Sequence, residues 1–322
     1  MKVAFFNHQL CIRGSTVSLY NYAVANQKLL GNESIVVYMA DAENINHTDP
    51  TVLEKFNKTF KTKGFDNWDS LDEYLKEEKV DVLFKSCGGW NDNKVSKYAK
   101  TCVQAIFDIY QPHGDVYSYL HEYMSNKMTD GKAPHVYGIC DYLPEPNLNL
   151  REIYNIPSTA KVFGRIGAKD SFNVDCAKHA IIDLVNNTED VYFMFFGTDS
   201  FYEHPRIIYL PKSHEYQDKS NFVNACDAML HARIDGEIFS LSISEFLWFD
   251  KPIITFNIGF QTGHFEILKD KAIIYKDKES LCSIIKNFNK NDYPKNYYKS
   301  IILDNGFTTD KVMQKFKEVY LT

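Results

Sequence analysis

The sequence predicts an α/β fold, with two doubly wound parallel-sheet domains in tandem facing a cleft. Three observations predict it. The first forty residues read as a βαβ opening, short apolar runs then recur between polar or helical stretches, and a proline-rich break precedes a second βα series. The opening comprises a strand at Lys2 to Asn7, a loop with Arg13-Gly14-Ser15, a helix at Thr16 to Leu30 and a strand at Ser34 to Met39. Trp68 to Lys79 has helical spacing. Val80 to Phe84, Val103 to Phe107, Val116 to Leu120 and Val136 to Ile139 read as strands, because a parallel strand covered on both faces is apolar throughout.

Tyr142-Leu-Pro144-Glu-Pro146-Asn147 and Ile156-Pro157-Ser158 interrupt the alternation. The domain boundary is placed there. It divides the chain into residues 1–150, residues 151–307 and a last helix in 308–322 that packs back toward the first domain. Strands of the second series are expected at Lys161 to Arg165, Val191 to Phe196, Arg206 to Leu210, Ala228 to His231, Pro252 to Phe256 and Ala272 to Tyr275. Its helices are expected at Val174 to Asn187, Lys219 to Cys226, Leu241 to Phe249 and Glu279 to Phe288, and the final helix at Thr309 to Tyr320.

Composition narrows the function. The 322 residues carry a net charge of -6, which argues against a nucleic-acid backbone as main partner, since that needs a basic footprint. No apolar run approaches the roughly 18 residues of a membrane span, and the apolar start is too short for a signal peptide, so a cytoplasmic protein is expected. Seven scattered cysteines form no Cys-x-x-Cys pair, which suggests neither a disulfide framework nor a zinc site. Aromatic residues reach 15%, with 23 Phe and 21 Tyr against 3 Trp; stacking platforms and a coding bias both account for that.

Nucleotide signatures are mostly missing. The first turn has one glycine, Gly14, where a dinucleotide fingerprint needs Gly-x-Gly-x-x-Gly, and no phosphate-binding Gly-x-x-x-x-Gly-Lys-Ser/Thr occurs. No Asp-x-Asp pair offers metal-holding carboxylates. The informative stretch is Asp235-Gly-Glu237-Ile-Phe239-Ser240-Leu241-Ser-Ile-Ser-Glu245, followed by Lys251-Pro-Ile-Ile-Thr255. One carboxylate lies in a loop after a strand and the other in the following helix, whose N-terminus suits a diphosphate. Ser242-Ile-Ser-Glu245 also fits a capping box, in which Glu245 merely satisfies a backbone donor. A second motif is Val162-Phe-Gly-Arg165-Ile-Gly-Ala-Lys169. Arg165 ends a predicted parallel strand, where α/β ligands gather, although a solvated surface pair is the commoner fate of basic residues.

These motifs resemble the Glu-x7-Glu and Gly-Arg…Lys elements of retaining glycosyltransferases of the GT-B fold, in the family 4-like group. Ser240 stands where the family commonly has Gly, and Asp250 where Gly precedes Lys-Pro. The resemblance implies two Rossmann-like domains and transfer of a sugar from a nucleotide-diphosphate donor, UDP- or GDP-linked, to a hydroxyl of a glycan or glycoconjugate. It implies no cofactor and no metal. Glu237 would orient the donor sugar, Glu245 would hold the ribose, and Arg165 with Lys169 would neutralise the leaving diphosphate. Arg233 would add charge there, and Phe239, Ser240 and Leu241 would open the helix toward it. Thr198 and Leu210 lie in loops placed for the base.

In the first domain, Gly14 and Ser15 resemble the small-residue loop that approaches donor phosphate. The strand-end loops with Gly88, Gly89, Trp90 and His113 are expected on the acceptor side, an ordinary turn being the default. The family's first-domain histidine has no clear counterpart: Gln104 occupies the strand and His121 is a substitute. A sugar-nucleotide epimerase of the same fold is the first alternative, with His8, Asp108 and His113 as its acid/base candidates. A noncatalytic sugar-binding module is the second.

Overall fold

All strands pair parallel, and they fall into two six-stranded sheets. A computed structural model describes residues 1–322, which divide into one unit of Met1–Ile139 with Gly306–Thr322 and another of Cys140–Asn305.

The first unit begins β1 (Lys2–Asn7), α1 (Gly14–Lys28), β2 (Glu33–Met39), α2 (Pro50–Thr59), β3 (Lys61–Phe65) and α3 (Trp68–Glu77). It continues β4 (Val82–Cys87), β5 (Lys100–Ala105), β6 (Val116–Tyr119) and α4 (Glu122–Thr129). Its sheet runs β3-β2-β1-β4-β5-β6, with Val3 opposite both Ser34 and Val82. Two elements differ from expectation. The edge strand β3 is Lys-Thr-Lys-Gly-Phe, too polar to read as an apolar run, and its lysines suit a sheet edge. Val136 to Ile139 forms no strand: it follows a single bridge, Tyr119 to His135, made at the last residue of β6.

The second unit contains α5 (Leu150–Ile153), β7 (Lys161–Ile166), α6 (Asp175–Asn187), β8 (Val191–Phe196), β9 (Ile207–Leu210), α7 (Tyr216–Ala225) and β10 (Ala228–His231). After these come α8 (Leu241–Trp248), β11 (Ile253–Phe256), α9 (Gly263–Leu268), β12 (Ile273–Tyr275), α10 (Lys278–Asn287) and α11 (Lys299–Asp304). The sheet order is β12-β11-β10-β7-β8-β9. In both units strand order reverses beside the first strand, between β1 and β4 and between β7 and β10. Such a switch point opens a crevice at the carboxyl ends of the strands.

The last helix, α12 (Thr309–Tyr320), belongs to the first unit. Its Phe316 ring lies 5.0 Å from that of Phe84 and 5.3 Å from that of Tyr22, and Tyr320 Oη lies 2.6 Å from Ser118 Oγ. Phe163, Phe193, Phe195 and Phe256 fill the core of the second unit. Much of the aromatic excess is therefore packing.

Candidate functional site

In the second unit, the switch point between β7 and β10 gathers Arg165, His231, Arg233 and Glu237. Residues Val162 to Ile166 are all buried, since β7 lies between β10 and β8. Arg165 near the end of that strand is consequently enclosed, only 2% exposed. Its Nη1 donates to Ile166 O and lies 3.5 Å from Ser242 Oγ, its Nη2 lies 3.2 Å from Ser171 Oγ, and Nε has no hydrogen-bond partner. Burial pushes its pKa down to about 10, while Glu237 pulls the other way. Gly167 makes room for the guanidinium: a Cβ there would stand 2.8 Å from Arg165 Nη2.

The guanidinium reaches Ser242 in the first turn of α8, a turn without acidic residues. Such a turn carries backbone N–H groups with no intrahelical acceptor and the positive end of the dipole. No carboxylate lies within ion-pair distance of Arg165. Two sources of positive potential thus meet with no carboxylate in contact, Glu237 acting only at longer range, which is an arrangement suited to phosphate.

Glu237 sits in the loop after β10. Gly236 (φ +72°) lets the loop approach residues 259–263 backbone to backbone, for a Cβ there would fall 2.0 Å from Gln261 O. Gly259 and Gly263 face the loop too, where a Cβ would fall 2.8 Å from Gly236 Cα and 2.2 Å from Ile238 O. Glu237 N donates to Gln261 O at 3.1 Å, and Gln261 N to Asp235 O at 2.9 Å. The carboxylate is 14% exposed, with both oxygens 3.3 Å from Arg233 Nη1 and Oε1 3.8 Å from His231 Nε2. Burial opposes its ionisation, but His231, Arg233 and Arg165 hold its pKa down to about 2. It is an acceptor-only carboxylate, able to receive sugar hydroxyls.

Glu245 lies within α8, fully buried. Its Oε1 takes Lys219 Nζ at 2.6 Å and the Tyr142 hydroxyl, while Oε2 has no hydrogen-bond partner. The capping box at Ser242 does not form. Ser240 caps the helix, its Oγ accepting from Ile243 N at 3.4 Å, which leaves Glu245 five positions past the cap. Asp250 (φ +58°) holds the left-handed conformation that favours Gly, and its carboxylate accepts from Asn296 N at 2.6 Å and Tyr298 N at 2.8 Å.

Lys169 stands apart from this group, 76% exposed and 4.0 Å from Asp199. Phe239 and Leu241 are half-buried beside Ser240. Thr198 is buried just after β8, its Oγ1 without a partner, and Leu210 ends β9. Sequence reasoning missed Gly167, Ser171, Lys219, Tyr142, Thr255 and His264. The glycines Gly259 and Gly263 were the available signal for His264, and nothing local marked the others.

In the first unit, Gly14 and Ser15 open α1, whose first turn has no acidic residue. Gly88, Gly89 and Trp90 follow β4, and the exposed Trp90 ring folds over Gly88 and meets Phe107 edge-on at 6.1 Å. His113 is buried, with Nδ1 2.8 Å from Gln111 O and Nε2 3.7 Å from Asp92 Oδ1. His8 Nε2 lies 3.3 Å from Asp92 Oδ2, and the buried Lys85 holds Oδ1 at 2.6 Å. His121 caps α4, accepting from Tyr123 N at 2.8 Å, and burial lowers its pKa to about 4. Gln104 is a core residue bonded to Val136 O at 2.8 Å, and Asp108 pairs with Lys127 at 3.0 Å. No group of three or more His, Cys, Asp or Glu is arranged to hold a metal ion. No helix is long and apolar enough to cross a membrane.

Known structures share this architecture. The chain is similar to a glycosyltransferase from Rickettsia africae ESF-5, with 16% identity, a TM-score of 0.73, and coverage of 99% of this chain and 98% of that one. It is similar to HepE of Anabaena, solved in complex with UDP-glucose, with 13% identity, a TM-score of 0.73 and coverage of 99% and 98%. A third likeness is a Listeria monocytogenes protein assigned as a UDP-N-acetylglucosamine 2-epimerase, with 12% identity, a TM-score of 0.65 and coverage of 98% and 96%. No protein-family model and no curated protein matches the chain. The fold is GT-B, two Rossmann-like domains each built on a six-stranded parallel sheet.

Proposed function

We propose that the chain is a retaining, metal-independent glycosyltransferase that acts in the cytoplasm on a UDP- or GDP-sugar and a hydroxyl of a glycan or glycoconjugate. The observation that carries this reading is Arg165, a buried guanidinium without a carboxylate partner beside the first turn of α8. A donor diphosphate supplies the missing anion. Arg165 and the helix N-terminus then stabilise charge developing on the leaving group, the preorganised term that usually dominates catalysis. Glu237 accepts hydroxyls of the donor sugar, and the unpartnered Oε2 of Glu245 accepts a ribose hydroxyl. The UDP-glucose complex of HepE supports a nucleotide-sugar donor.

The reaction breaks the anomeric C–O bond to the diphosphate and forms one to the acceptor oxygen on the same face. The acceptor proton passes to the leaving phosphate. The test is a thermal-shift screen of UDP-, GDP- and ADP-sugars followed by product analysis with and without acceptor sugars. A nucleotide-sugar response and an acceptor-dependent glycoside with retained configuration are expected. The likeness to the Listeria protein favours the epimerase as second reading, and an altered donor sugar formed without acceptor would establish it. Binding without turnover would instead mark a sugar-binding module.

A further inference from the structure

Behind Glu237 runs a closed circuit of hydrogen-bonding groups. His264 Nδ1 lies 3.3 Å from Glu237 N and 3.1 Å from Glu237 O, so it can share either the N–H that also donates to Gln261 O or the carbonyl that also accepts from His264 N. Thr255 Oγ1 is 3.4 Å from His264 Nε2 and 2.9 Å from His231 Nδ1. His231 Nε2, buried and without a hydrogen-bond partner, faces Glu237 Oε1 at 3.8 Å. The circuit thus leaves from the backbone of Glu237 and returns to its carboxylate. All three relay side chains are buried.

A neutral imidazole carries one N–H, and a hydroxyl donates once, so with every link from Glu237 to Thr255 to His231 made, the protons run in one of two senses. In one, His264 donates to Glu237 O, Thr255 donates to His264, and His231 Nδ1–H donates to Thr255. That sense turns a lone pair of His231 Nε2 toward an ionised carboxylate, which is repulsive. In the other, Glu237 N–H is shared between Gln261 O and His264 Nδ1, His264 Nε2–H is directed at Thr255 and the Thr255 hydroxyl at His231 Nδ1. His231 Nε2–H then points at Glu237 Oε1. Burial lowers the pKa of both histidines, keeping them neutral near pH 7. Glu237 is held ionised there, which selects the second sense.

We propose that His231 is a positioning residue for Glu237, and that the Thr255–His264 relay fixes its proton on Nε2 so that it holds the carboxylate in orientation for a donor-sugar hydroxyl. The reading rests on the donor-sugar role of Glu237. Charged and titratable groups facing His231 are Glu237, Arg165, Arg233 and His264, and the Tyr275 hydroxyl donates to its carbonyl at 3.2 Å. Thr255 is the discriminating position. Val keeps its shape and removes the hydroxyl, whereas Ser keeps the hydroxyl.

Nitrogen-15 histidine NMR of the full chain at pH 7.5 should show His231 protonated on Nε2. Thr255→Val should lose that single tautomer, and Thr255→Ser should restore it. In transfer assays Thr255→Val should lower kcat/KM for the donor sugar by about threefold to tenfold, less than a full hydrogen bond to a charged group, since Nε2 stands 3.8 Å from Oε1. Its acid limb should move to higher pH, while UDP alone still shifts the melt. A wild-type His231 protonated on Nδ1 would overturn the proposal, as would a Thr255→Val enzyme with unchanged tautomer and pH profile. If no nucleotide sugar shifts the wild-type melt, the donor reading fails, and the tautomer measurement still decides the relay.

Discussion

Replacing Arg165 by Met should leave the stability nearly unchanged and the protein unable to grip a diphosphate. Burial displaces the guanidinium pKa from 12.5 to about 10, and each pKa unit corresponds to about 1.4 kcal/mol, so the buried charge costs about 3 kcal/mol. The cost is present at neutral pH, because stability rises only as the pH climbs from the folded pKa toward the higher unfolded value. Met is unbranched and fills much of the same space without charge. Against the gain stands the loss of the bonds to Ile166 O and Ser171 Oγ, at about 1.5 kcal/mol each for a charged donor. The balance is close to zero, so the melting temperature should stay within about 2–4 °C of the wild type's. Thermal melts with and without UDP measure both effects: Arg165→Met should melt close to the wild type alone and lose the UDP-induced rise. A variant that melts several degrees lower yet keeps the full UDP response would refute the view of Arg165 as an anion-seeking cation.

Glu237→Gln should abolish sugar transfer while leaving UDP binding intact, read by turnover and thermal shift. The same variant tests linkage: a carboxylate at about 2 rather than 4.5 adds stability above pH 4.5 that is lost as pH falls toward 2. His264, at about 4 rather than 6.5, lowers stability in the same direction below pH 6.5. Urea unfolding across pH 3 to 7 should therefore show the wild type losing its advantage over Glu237→Gln below about pH 5, by about 2 kcal/mol at pH 3, with the His264 contribution common to both, and parallel curves would contradict it. Lys219→Met should destabilise by about 3–5 kcal/mol, because it strands the buried Glu245, and adding Glu245→Gln should recover most of that in the same assay.

The sequence by itself determined the fold class. Its parallel strands are apolar throughout because both faces are covered, so β1, β4, β7, β8, β10 and β11 could be read from local runs. Glu237, Arg165 and Arg233 could be singled out because strand ends and glycine-bearing loops leave marks within a few residues. The edge strand β3 left no such mark, since an edge needs lysines rather than a continuous apolar face. Tertiary structure alone decided which charges meet. Lys169, four residues from Arg165, stands in solvent, whereas Lys219, 26 residues from Glu245, reaches it at 2.6 Å. The relay from Glu237 through His264 and Thr255 to His231 spans two strands, one loop and the helix α9. Its partners are set by the register of β10 against β11, where His231 lies opposite Thr255, and by three glycines that let two backbones touch. Such pairings depend on distances across the sheet, which no local spacing encodes.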